Sequence, residues 1–304
     1  MIPDLRLKIA NCEFSNPCLT ASGTYGWGDK FISVLNKIGG FITKGITLAP
    51  REGNPPPRIW EVPGGIVNAI GLENPGAVYF ANHILPNLSK LQTKIIVNIL
   101  GTSVEEFETL VKILDRPEVS GFELNLSCPN VKEGGLSFSL SPRNLAKVVS
   151  AVRKQTKKLL ICKLSAGITD LLTIAQVCEK EGADALTLLN SLPAFVISSE
   201  TFKSCLGSPN GGLSGPALKP FVLFCLHKVR EVVSLPLIAC GGITNYHDAL
   251  ESLIVGASLF QVGSINLINP FAPIEILEGL KRFLKEKGIP SVRSLIGKLE
   301  SPEG

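Results

Sequence analysis

Eight short apolar runs recur along this chain, at residues 17–23, 40–47, 95–101, 121–129, 159–165, 185–191, 235–242 and 259–264. Four of the intervals between or around them read as amphipathic helices, at 103–114, 141–156, 169–181 and 245–256. Ser103-Val-Glu-Glu106 has the form of a capping box and predicts a helix start there. The runs are mostly continuous in apolar character, the pattern of strands covered on both faces. Eight strand-then-helix units predict an α/β fold, a single (β/α)8 TIM barrel with inserted loops over its C-terminal face. An open doubly wound sheet is the alternative. It would normally carry a glycine-rich dinucleotide turn after its first strand. Ala21-Ser-Gly-Thr-Tyr-Gly-Trp-Gly28 stands there instead and does not fit G-x-G-x-x-G.

A chain of 304 residues that is 45% hydrophobic can bury a large core, and residues 1–304 are expected to form one domain. Its net charge of +4 is spread without a basic block, which argues against a nucleic-acid partner. Met1-Ile-Pro-Asp-Leu-Arg-Leu-Lys8 lacks the apolar core of a signal peptide, so a cytoplasmic location is expected. The apolar segment 253–277 is broken by Gln261, Asn266, Asn269, Pro270 and Pro273, and reads as strand, turn and helix, not as a membrane span. Of the eight cysteines, none forms a Cys-x-x-Cys pair or a Cys/His group with zinc spacing. A reduced compartment, no metal site and no iron–sulfur cluster in this chain are the corresponding expectations.

Parallel barrels place chemistry at the C-terminal ends of their strands. Gly121-Phe-Glu-Leu-Asn-Leu-Ser-Cys-Pro-Asn130 alternates as a strand, then breaks at a proline and delivers Cys128 at its end. The other ends bring Ser22, Lys44-Gly45, Asn98, Asn125, Lys163, Asn190-Ser191, Gly241-Gly242 and Gly263-Ser264. Two lysines and three asparagines inside apolar runs are costly to bury without a ligand or partner. For each asparagine, backbone groups are the plain alternative; for Lys163, a buried ion pair is, although its own strand holds no acid. The glycines after the seventh and eighth strands suit a phosphate, with Gly211-Gly-Leu-Ser-Gly-Pro216 as a third arm. Asn68-Ala-Ile-Gly-Leu-Glu-Asn-Pro-Gly76, after the proline-rich Gly53-Asn-Pro-Pro-Pro-Arg58, offers polar groups to a small substrate.

Taken together, these blocks resemble the dihydroorotate dehydrogenases along nearly the whole chain. The most specific pieces are 68–76, Asn125-Leu-Ser-Cys-Pro-Asn-Val131, Gly211-Gly-Leu-Ser-Gly-Pro-Ala-Leu-Lys-Pro220 and Gly241-Gly242. Cysteine in place of serine as base is similar to class 1, as is the lack of a membrane-binding extension, and Asn-Ala-Ile-Gly-Leu resembles class 1B. The resemblance implies an FMN cofactor held by Ser22, Lys44, Gly45, Asn98, Asn125, Lys163, Leu189, Gly215, Gly241, Gly242, Gly263 and Ser264. It implies dihydroorotate bound by Lys44, by Asn68, Ala69, Ile70, Gly71 and Leu72, and by Asn125, Asn190 and Ser191. Cys128 would take the C5 proton while FMN takes the C6 hydride, beneath a lid after Cys128 with 131–135 at its base. Class 1B implies an electron-transfer partner carrying FAD and a [2Fe–2S] cluster, two of each subunit per assembly, with NAD as final acceptor. Class 1A would mean fumarate used directly. Gly45, Ser191 and Ser264 depart slightly from the family pattern, and Trp60 and 192–195 have no role that the residues suggest. A dihydropyrimidine dehydrogenase-like enzyme, a non-redox phosphate-binding barrel and an electron-relay flavin module are the rival readings.

Overall fold

The computed structural model describes residues 2–126, 141–165 and 170–300. Eight parallel strands close into a barrel in chain order: β1 (Cys18–Thr20), β2 (Gly40–Ile42), β3 (Lys94–Ile99), β4 (Gly121–Asn125), β5 (Leu159–Leu164), β6 (Ala185–Leu188), β7 (Leu237–Cys240) and β8 (Ala257–Val262). All eight apolar runs become barrel strands, and the open sheet is excluded. Most observed strands stop short of their apolar run, and described residues past several ends, such as Ala21, Thr43 and Leu189, keep single bonds to the neighbouring strand as they turn into the C-terminal mouth.

Helices α1 (Val104–Leu114), α2 (Pro142–Gln155), α3 (Leu171–Lys180), α4 (Lys219–Arg230), α5 (Tyr246–Val255) and α6 (Ala272–Glu286) follow β3 to β8 in turn. Their apolar stripes have helical spacing: α1 buries Phe107, Leu110, Val111 and Leu114, and α2 buries Leu145, Val148, Val149 and Val152. Full burial of one such side chain contributes about 1.5–3 kcal/mol, against about 1 kcal/mol for a cap. Packing therefore holds the helices to the barrel, and the caps fix where they start. At α1 the capping box is only half made. Ser103 accepts from the Glu106 N–H, but the Glu106 carboxylate accepts from Thr102 N–H at 2.7 Å. The reciprocal box forms at α5 instead, between Asn245 and Asp248.

The inserts over the mouth are more ordered than loops. Ile59–Val62 and Gly65–Asn68 form a hairpin, extended by Gly211–Ser214 and then Leu192–Ala194 into a four-stranded antiparallel sheet. Gly211–Ser214 is thus a strand, and of the glycine block 211–216 Gly215 lies just past its end, on the cavity side. The sheet has a small core of its own in Val67, Ala69 and Leu206. Leu192–Ala194, without a role in the sequence, is its edge strand, and Trp60 lies partly exposed on the hairpin. Among the described residues, no helix is long and apolar enough to cross a membrane.

Candidate active site

The strand ends and the inserted sheet enclose a cavity of about 410 Å³, within the range of small-molecule and cofactor sites. Every FMN-binding residue expected from the sequence lies on its wall: Ser22, Lys44, Gly45, Asn98, Asn125, Lys163, Leu189, Gly215, Gly241, Gly242, Gly263 and Ser264. So do Asn68, Ile70, Gly71, Leu72, Asn190 and Ser191 of the expected substrate set. Ala69 does not. It is fully buried in the sheet's own core, its N–H bonded to Arg58 and its carbonyl to Asn54, because neighbouring residues of an extended chain face opposite ways. Cys128 and the lid 131–135 lie outside the described residues.

The floor is built from barrel side chains. Asn190 Nδ2 donates to Asn125 Oδ1, Asn125 Nδ2 to Asn98 Oδ1 (both 3.4 Å), and Asn98 Nδ2 to Glu123 Oε1 at 2.7 Å. The three asparagines are therefore linked to one another, in addition to facing the cavity. Glu123 is the residue that the sequence reading missed. It sits wholly buried below the floor and also accepts from Thr187 Oγ1 at 2.9 Å and Gln261 Nε2 at 2.6 Å. Lys163 Nζ lies 3.8 Å from Glu123 Oε1, so Lys163 has an acid partner after all, on the neighbouring strand. Burial alone would lower the Lys163 pKa, but Cys240 and Glu123 beside it outweigh burial and hold it above the ordinary 10.5. The Cys240 thiol is pushed up by burial, opposed by Lys163.

Opposite this floor, Arg58 Nη1 and Lys44 Nζ share one Glu73 oxygen, at 2.6 and 3.5 Å, and Lys44 lies over the Trp27 ring at 5.5 Å. Arg58, Glu73 and Trp27 line the cavity and were also missed, since each stands in an insert or loop without a strand pattern to mark it. Among the described lining residues, three are cationic (Lys44, Arg58, Lys163) and one is acidic (Glu73), a balance that favours anionic ligands.

The glycine end completes the wall. Gly242 has φ +78°, and a Cβ there would stand 2.6 Å from the Lys219 backbone. Only glycine lets the turn after β7 meet the start of α4. The helical turn Pro216–Leu218 begins beside it, but its N–H groups are committed, Ala217 to Gly64 O, Leu218 to Gly215 O and Lys219 to Pro216 O, so a phosphate here would rest on the glycine turns after β7 and β8. The cavity thus offers a phosphate-sized glycine cradle at one end, and a cation with three amides at the other. That donor set fits a flavin mononucleotide: a cradle for its phosphate, and hydrogen-bonding groups with one positive charge for the polar edge of its ring. Among the described residues, no group of three or more His, Cys, Asp or Glu is placed to hold a metal ion.

Comparison with known proteins agrees with this geometry. The model of the family described as dihydroorotate dehydrogenase matches residues 4–284. A relative from Pelobacter propionicus, named dihydroorotate dehydrogenase B (NAD(+)), catalytic subunit, is 47% identical over 303 residues, 99% of this chain and 100% of that protein. Proteins of the same name from Thermodesulfovibrio yellowstonii and Bacteroides fragilis are 45% and 42% identical over 300 residues, covering 97% and 98% of this chain and 99% of each relative.

Proposed function

The chain belongs to the dihydroorotate dehydrogenase family, and on that premise we propose that it oxidises (S)-dihydroorotate to orotate in pyrimidine biosynthesis, as the FMN-binding catalytic subunit of a class 1B enzyme. The observation that carries this reading is the convergence of the strand-end lysines, asparagines and glycines on one cavity. Bound FMN supplies the hydride acceptor for C6 of the substrate. Gly215, Gly241, Gly242, Gly263 and Ser264 would hold its phosphate, and Ser22, Lys44, Gly45, Asn98, Asn125, Leu189 and Lys163 its ring. The Lys163 cation would supply positive charge to whichever part of that ring gains electrons.

Substrate carboxylate pairs with Lys44 and with the turn Asn68–Leu72 beneath the hairpin, while Asn125, Asn190 and Ser191 orient its ring amides. Asn68 Nδ2 already donates to Gly212 O at 3.1 Å, which holds that side chain on the sheet. Cys128, two residues after the described end of the β4 segment, takes the C5 proton. A free thiol titrates near ~8.5, so the base gains strength on the alkaline side of neutrality. A partner subunit carrying FAD and a [2Fe–2S] cluster, two subunits of each kind per assembly, would take up the electrons and deliver them to NAD. This step is supported by the relatives' names, which specify both NAD(+) and a catalytic subunit. The seven described cysteines are unpaired, which suits a reducing cytoplasm.

The test is product formation. Under anaerobic conditions the purified chain should convert dihydroorotate to one equivalent of orotate per bound FMN, and then stop unless the partner and NAD are added. Absence of orotate would refute the reading. Sustained turnover with fumarate alone would refute its class 1B part.

A further inference from the structure

We propose that Glu123 is a positioning residue that fixes both the charge of Lys163 and the direction of the Asn98 amide at the cavity floor. This goes beyond the functional reading above and does not depend on which ligand the cavity holds.

The inference rests on an inventory of donors and acceptors. Glu123 is wholly buried on β4, and among the described residues every group hydrogen-bonded to its two oxygens donates. Asn98 Nδ2 meets Oε1, while Thr187 Oγ1 and Gln261 Nε2 meet Oε2. The Lys163 ammonium lies beyond Oε1, at 3.8 Å. The amide orientations are themselves fixed, because Asn98 Oδ1 accepts from Asn125 and Gln261 Oε1 lies 3.4 Å from Lys163 Nζ. Thr187 Oγ1 is occupied as an acceptor by Gln261 Nε2 at 3.1 Å. A carboxylate accepts from all of these at once. An amide at 123 would aim its Nε2 at the Gln261 Nε2 donor, and a carboxylic acid would have only the Thr187 hydroxyl to accept its proton, turning that hydroxyl's own proton away from Glu123. The site therefore selects a negative charge at this position.

That charge acts through Lys163. Facing the ammonium are Glu123 from β4, the Cys240 thiol from β7, Gln261 from β8 and the Ser22 hydroxyl beyond β1. Ser22 and Gln261 are neutral, and burial raises the Cys240 pKa and so favours its uncharged form. Among the described residues, Glu123 is thus the carboxylate facing a lysine whose charge burial disfavours, and it acts beside the Cys240 thiol. Lys163 reaches the cavity wall and Glu123 does not, so the pair presents its positive end to the ligand.

The experiment is an NMR titration of lysine 13Cε in the full chain as purified, with the Lys163 signal assigned from its loss in K163M. In the wild-type protein, Lys163 should titrate above its ordinary value of 10.5, and in E123Q its proton affinity should fall about tenfold or more. E123D keeps the charge but withdraws it by one methylene, and should shift the signal in the same direction by less. Identical Lys163 titrations in wild type and E123Q would overturn the proposal. Should E123Q fail to fold, a Lys163 signal in E123D matching wild type would overturn it instead. A purely structural Glu123 would lower stability in both variants and leave the Lys163 titration where it was. None of these outcomes depends on dihydroorotate, so the two readings fail separately.

Discussion

At position 128 the proposed chemistry needs a thiol that can lose its proton, and that requirement shows in rate rather than in binding. Cys128→Ala should retain FMN and near-normal affinity for dihydroorotate while turnover falls by roughly 10²–10⁴. Wild-type turnover should rise between about pH 6.5 and 9 with one ionisation, as the thiolate fraction grows. An alanine variant of full activity would remove Cys128 from the mechanism. How far single residues were legible beforehand depended on contrast with their neighbours. Lys44, Asn98, Asn125 and Lys163 stood out because a polar side chain in an apolar run is costly unless something meets it. Glu123 escaped notice because it alternates with Phe122 and Leu124, as a solvent-facing residue would. In a barrel the face opposite the helices is the interior, so the same alternation buries the acid. Ala69 failed in the converse way: a contiguous motif suggests a contiguous surface, and the extended backbone turns every second side chain away.

At the level of elements, the inserted hairpin and the helix starts carry separate predictions. Gly71 has φ +77°, and a Cβ there would lie 2.4 Å from the Asn54 backbone nitrogen. Gly71→Ala should displace the turn that lines the cavity and raise KM for dihydroorotate about tenfold or more, since strain of ~1–3 kcal/mol falls on the site. The barrel has its own core, so Tm should change by only a few degrees; an unchanged KM would contradict this role for the turn. At α5, Asp248 accepts from Thr244 and Asn245 N–H and from Lys219 Nζ at 2.8 Å. Burial opposes its ionisation, but the Lys219 and Thr244 hydrogen bonds outweigh burial and hold its pKa below the ordinary 3.8. The stabilisation from that lowered value is fully present above pH 3.8 and is lost as pH falls through the folded-state pKa. Asp248→Asn should therefore cost about 1–3 kcal/mol at pH 7 in denaturant unfolding, and the gap from wild type should narrow below pH 3.8. A gap that is constant with pH would contradict it. The helices and barrel strands were legible because apolar period and cap chemistry are local. The antiparallel sheet was not, since Gly65–Asn68 pairs with Gly211–Ser214 across four intervening barrel strands, and nothing in either segment names its partner.

For the molecule as a whole, barrel closure gathers residues from Ser22 to Ser264 around one cavity, and this gathering is what makes an enzyme of dispersed strand ends. The excess of cations on the described wall predicts a preference for a carboxylated substrate over its neutral relatives. Dihydrouracil, which lacks the carboxylate, should therefore be a poor reductant, by a factor of roughly 10² or more for a lost charged contact. The most direct measurement is the visible spectrum of the purified protein before and after anaerobic addition of dihydroorotate, with dihydrouracil as control. A yellow protein that bleaches with dihydroorotate and not with dihydrouracil is the expected result. A colourless protein that FMN cannot reconstitute, or a yellow one that dihydroorotate leaves oxidised, would contradict the central claim.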